Sequence, residues 1–267
     1  MKDQILDYRS VLAYNREVFL IEHGELIKAF SAIDANFSAL VEAPRTMRDA
    51  SGKSYVSLIP FLLLFQRQSR AAFEAFAVHQ SYQGWVLLRP GIESVLIIGK
   101  WVDDPANAKI WQNRNKEPNR KEHRKAYQNA YSGPALRSKC LPSSERIQTV
   151  LSKVNDNFVH ANPDYYDRHL KAGAGDPGYV NFWLDYFDDD TLLETHVLAF
   201  LHLVLVMQEA LLDLLNRQFL TPAGLRTSLA SFDSKFGART VELAAASDEA
   251  ATTLGQRGLI AAPARGT

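Results

Sequence analysis

The feature that most constrains this chain is the stretch from Thr191 to about Phe219, where apolar side chains cover most faces of a helix. A helix without a polar side has to be surrounded by protein, so this one is expected to form the buried centre of a helical bundle. Thr191-Leu-Leu-Glu194 has the spacing of a capping box, which places the helix start at Thr191, and Pro222 closes it. Its most apolar part, Val197 to Val206, is interrupted by His202. Crossing a bilayer takes about twenty apolar residues. Charges are scattered through MKDQILDYRSVLAYNREVF and no apolar leader segment precedes them, so the chain is expected to be cytoplasmic.

The rest of the sequence repeats the helical period, and strand-like alternation is almost absent. A helical region is expected over about residues 3 to 43 with a break at Gly24, followed by a polar connection from Ala43 to Tyr55. A long apolar helix follows from Ile59 to about His79. The next, Tyr82 to Trp101, has core positions Trp85, Leu88, Ile92, Val95, Leu96 and Gly99. Pro90 inside it is expected to kink it or to start a new helix. Asp104-Pro105 marks another start, Pro118 a break, and Ser132-Gly133-Pro134 an end. A helix from Ser143 or Ser144 to about Ala161 carries Ile147, Val150, Leu151, Val154 and Phe158 on its core face. The glycine-rich segment 173–178 reads as a turn, since no Lys-Ser/Thr follows to make it a phosphate loop. The fold class is therefore all-α, a multi-helix bundle in one domain over residues 1–220. A C-terminal helical extension over 221–250 and a disordered tail over 251–267 complete the expectation.

Composition narrows the chemistry. Thirty basic residues balance thirty acidic ones, so any polyanion has to meet a local patch. One cysteine, Cys140, removes an intramolecular disulfide framework and makes a structural zinc site implausible, and its proline-bounded loop suggests an ordinary thiol. His196 and His202 lack the four-residue spacing of a helical metal pair, so neither metal nor cofactor is expected.

Three places carry candidate function. Arg89 and Glu93 fall at the margin of the apolar stripe, where they would form a partly buried ion pair or a pocket for an anionic small ligand. Lys153, Asp156 and His160 share a polar face with Asn157 beside them. Asp156 could orient His160 as a general acid or base, giving His160, Asp156 and Asn157 as candidate catalytic residues. The competing reading is that His160 simply complements a helix C-terminus. The run from Arg114 to Lys125 offers phosphate contacts through Arg114, Lys116, Arg120, Lys121, Arg124 and Lys125, with Tyr127 and Tyr131 just beyond. Its bland reading is a solvated helix face, because Glu117 and Glu122 are interspersed.

Gly84-Trp-Val-Leu-Leu-Arg89-Pro-Gly-Ile-Glu93, Trp101-Val-Asp-Asp-Pro105 and Asn157-Phe-Val-His160 together resemble a group of bacterial all-helical proteins. That group is in turn similar to HEPN domains, α-helical bundles that include RNA-cleaving toxins and defence proteins. The resemblance covers about residues 57–220. It implies a HEPN-like core, a bacterial defence or toxin–antitoxin setting, and a homodimer or a cognate protein or RNA partner. HEPN ribonucleases carry an arginine four to six residues before their histidine. Here Asn155 stands five before His160 and Lys153 seven before it, so the resemblance implies a non-catalytic or cryptic member. The alternative it leaves open is a metal-independent endoribonuclease using His160.

Overall fold

The computed structural model describes residues 4–46, 48, 55–159, 170–174, 180–184, 187–188 and 190–218. The fold is an all-α multi-helix bundle. Helices α1 (Gln4–Glu22) and α2 (Gly24–Thr46) are separated at His23, which agrees with the expected break. Helix α3 (Ile59–Phe76) stops one turn before His79, and α4 (Ser81–Asp103) packs along most of its length. The two are joined by a C-terminal cap in which the amides of His79 and Gln80 donate to the carbonyls of Phe76 and Ala75. His79 takes the left-handed conformation, with φ of 62°, that such a cap requires.

Pro90 starts no new helix, and α4 runs through it. Proline has no amide to donate to the Val86 carbonyl one turn earlier, and Val86 lies on an exposed side of the helix. The close fit of α4 to its neighbours has a visible cause. A Cβ at Gly84 would lie 2.7 Å from the Phe76 ring, and one at Gly99 would lie 2.8 Å from the Cβ atoms of Ser138 and Leu141. Only hydrogen fits at these two positions.

Helices α5 (Ala106–Asn113) and α6 (Arg120–Tyr131) form a small outer pair, with Asp104 capping the first through the Ala106 amide at 2.8 Å. Helix α7 (Ser144–Val154) packs on α4 and then widens into a π turn over Asn155–Val159. The sequence period predicted an unbroken α-helix here. Three consecutive poor helix formers, Asn155-Asp156-Asn157, explain the looser turn.

A short antiparallel pair, β1 (Leu170–Ala174) with β2 (Val180–Leu184), is added to the helices where almost no strand pattern was expected. The segment Val-Asn-Phe-Trp-Leu has the β-branched and aromatic content of a strand, but five residues are too few for a periodicity signal. Gly173 and Ala174, expected to open a turn, belong to β1 instead; residues 175–178 of that expected turn, the expected extension over 221–250 and the tail over 251–267 lie outside the described residues.

The last helix, α8 (Asp190–Gln218), lies against α2, α3 and α4. It opens at Asp190, so Thr191 sits in its first turn and does not cap it. Contrary to the ten-residue reading, the span Thr191–Arg217 is long and apolar enough to cross a membrane, but 78 % of its apolar window is buried inside the bundle. Phe200, Leu201, Val204, Met207, Leu211 and Leu214 are fully shielded by the surrounding helices. Gln208, a polar residue of this helix at the same depth, donates to the Ile33 carbonyl at 2.9 Å and accepts from Asn36.

Candidate functional site

Arg89 emerges halfway along α4, on the side that faces the π turn. Its Nη2 meets Glu93 Oε1 at 2.8 Å, with 34 % and 33 % of the two side chains exposed. The expected partly buried ion pair is therefore formed. Its Nε donates to the side-chain oxygen of Asn155, the first residue of the π turn. Arg89 thus ties α4 to the segment that leads into His160. Sequence spacing gave no sign of this contact, because sixty-six residues separate the partners.

Burial raises the Glu93 carboxyl above its usual value, and the Arg89 charge pulls it partly back. Tyr127 on α6 belongs to the same neighbourhood. Burial and then the Glu93 charge push its hydroxyl up, while Arg114 and Arg89 pull it down. The Arg114 guanidinium carbon lies over the Trp111 ring, 3.7 Å from its centre, and the same side chain donates to the Trp111 carbonyl at 2.7 Å. Two guanidinium groups and one carboxylate therefore act on one tyrosine.

Below this cluster the aromatic core is polar at its tips. Trp101 donates to the Tyr131 hydroxyl at 3.0 Å, which in turn donates to the Asn107 carbonyl at 2.6 Å. Burial pushes the Tyr131 hydroxyl up to about 12, against the opposing pull of the Trp101 bond. On the other side of the π turn, Phe158 packs on Trp85, Tyr82 and His196. The Trp85 indole donates to Nδ1 of His196 at 3.0 Å.

The remaining candidates divide. Asp156 and Asn157 are exposed on the π turn, as is Lys153 on the turn before it. His160 follows directly in sequence but lies outside the described residues, so the proposed Asp156–His160 pairing does too. Lys116, Arg120, Lys121, Arg124 and Lys125 are all exposed, along α6 and the loop before it, whereas Arg114 is half-buried by its stacking on Trp111. No group of His, Cys, Asp and Glu is placed to hold a metal ion among the described residues.

Cys140 sits in a loop that wraps the Asp103 carboxylate, which accepts from the amides of Lys139 and Cys140 and from the Ser138 hydroxyl. The hydrogen bond to Asp103, followed by burial and the carboxylate charge, raises the Cys140 thiol. A raised thiol is a poor nucleophile.

Comparison with protein-family models, with curated proteins and with solved structures found no match.

Proposed function

We propose that this chain is a HEPN-like helical protein that binds single-stranded RNA without cutting it, in the bacterial cytoplasm and in a defence or toxin–antitoxin setting. The observation that supports the reading is the Arg89–Asn155 contact. A HEPN nuclease would carry its arginine in the turn before the histidine, and that place holds Asn155, which accepts from an arginine already paired with Glu93. Metal-independent cleavage of RNA, in which the 2′-hydroxyl displaces the 5′-oxygen at phosphorus, needs a base for the 2′-hydroxyl, an acid for the 5′-oxygen and positive charge on the developing phosphorane. A guanidinium neutralised by a carboxylate offers little of the last. Loss of such a stabiliser typically costs about 10² to 10³-fold in rate.

Binding draws on what remains. Exposed Arg120, Lys121, Arg124 and Lys125 on α6 give a local positive face on a neutral chain, beside Tyr127 and the stacked Arg114–Trp111 pair. Fluorescence anisotropy with a short single-stranded RNA should report binding that weakens with salt and is lost in Lys121→Glu/Arg124→Glu. Salt-independent binding, or none, sinks the reading.

A second reading, a metal-independent ribonuclease, is favoured by the same contact taken differently. Arg89 brings to the π turn the guanidinium that the local sequence lacks. Cleavage of single-stranded RNA in excess EDTA separates the two readings. Cutting by the wild type that disappears in His160→Ala favours the nuclease. Cutting only by Asn155→Arg favours a competent scaffold without its arginine.

A further inference from the structure

Helix α1 carries a second set of apolar residues on the side turned away from the bundle. Its attachment to the bundle uses one face, where Phe19 is buried and Leu12, Asn15 and Val18 are half-buried. Asn15 reaches the Val78 carbonyl from this side. On the opposite face, Leu6, Leu20, Ile5 and Ile21 are 58 %, 55 %, 70 % and 75 % exposed. At 100° per residue and with Ala13 at zero, Leu6 and Leu20 fall within about 20° of it, Arg9 and Glu17 at about 40° on opposite sides, and Ile5 and Ile21 at about 80° on opposite sides.

The arrangement is symmetric about Ala13. Arg9 and Glu17 are each four residues from it, Leu6 and Leu20 seven, and Ile5 and Ile21 eight. Like pairs with like for the apolar residues, and opposite with opposite for the charged ones. Arg9 and Glu17 are exposed, and neither makes a side-chain ion pair among the described residues, whereas Arg16 on the same helix is paired with Glu74.

We propose that this face docks against the same face of a second copy of the chain, with the two α1 helices antiparallel and the two-fold axis passing at Ala13. In that arrangement Leu6 of each copy meets Leu20 of the other across the seam, Arg9 meets Glu17 twice, and Ile5 and Ile21 line the two flanks of the contact. The small Ala13 side chain lets the helices approach where they cross. An interface of this kind is self-complementary, as closed two-fold symmetry requires. Parallel pairing would set Arg9 against Arg9 and Glu17 against Glu17, at a cost. The surface lies on a different element from the Arg89 cluster, so the proposal stands or falls apart from the RNA reading.

Charge reversal tests it on the full chain by sedimentation velocity, with circular dichroism to check folding. The wild type should sediment as a dimer. Arg9→Glu and Glu17→Arg should each weaken it at least about tenfold, because each sets like charges together twice. An equimolar mixture of the two variants should dimerise again. One variant is then acidic at both positions and the other basic at both, so every contact across the interface joins opposite charges. The double reversal, Arg9→Glu/Glu17→Arg in one chain, should also dimerise. A wild type that stays monomeric at about 100 μM, equivalent to an affinity of about 5 kcal/mol or less, overturns the proposal. So does a dimer that survives both single reversals, and so does a mixture that remains monomeric.

Discussion

The Trp85 indole donates to Nδ1 of His196 across 3.0 Å, between α4 and α8 and beside Phe158 of the π turn. For Nδ1 to accept, the imidazole must be neutral with its proton on Nε2. Replacing His196 by Phe keeps a ring of similar size and removes the acceptor. The Trp85 donor would then be left shielded and unpaired, which costs about 1 to 3 kcal/mol. Urea unfolding followed by Trp fluorescence should show a lower midpoint with an unchanged slope, and an unchanged midpoint would mean the bond contributes nothing.

Arg89→Ala should cost about 2 kcal/mol. Each member of the pair keeps a third of its surface in solvent, which lies between an exposed pair, worth about 0 to 1 kcal/mol, and a sealed one, worth about 3 to 5. Arg89→Lys should recover only part of the loss, because an ammonium cannot serve Glu93 and Asn155 from two positions of a planar fork. Glu93→Gln should cost less than Arg89→Ala, since it removes a carboxylate whose ionisation burial opposes. Equal losses for all three in a denaturant series would contradict this geometry.

Asp103 predicts a response to acid. Burial disfavours its charge, but the hydrogen bonds from the Cys140 thiol, the Lys139 and Cys140 amides and the Ser138 hydroxyl outweigh it and hold the carboxyl below its usual value. The folded value is the lower one, so the contribution is present above the ordinary value of about 3.9 and is lost as pH falls through the folded value. Thermal unfolding of Asp103→Asn should be lower than wild type at pH 7, with the two converging towards pH 3.

The same contact governs Cys140. With the carboxylate beside it the thiol is raised, so alkylation by iodoacetamide at neutral pH should be slower than for a free thiol. Asp103→Asn should speed it several-fold by removing the first and largest cause. A rate unaffected by the substitution would show that solvent access controls the reaction.

What the sequence made legible follows its periodicities. The Ile147, Leu151 and Val154 stripe, the Trp85 to Leu96 stripe and the largely apolar α8 are where helical spacing put them, because burial at three- and four-residue intervals leaves a direct record. The Arg89–Glu93 pair was legible for the same reason, as both residues share one helix. Contacts between distant segments left no such record. Asn155 accepting from Arg89, His196 accepting from Trp85 and Asp103 filling the 138–140 loop each join residues more than thirty positions apart. The π turn was invisible because a 3.6-residue wheel assumes the geometry that it departs from. Tyr127 did stand beside the basic run, but only the fold brings it within reach of the Glu93 charge.

Gln208 has a consequence that its size conceals. Apolar side chains alone hold a helix only weakly against rotation about its own axis, because several alignments hide a similar area. The amide of Gln208 finds the Ile33 carbonyl in one orientation only. It therefore acts as an index mark, giving α8 an angular zero that its leucines cannot supply. A chain with Leu at that position would keep its helices and its compactness but lose the single alignment that makes them one structure.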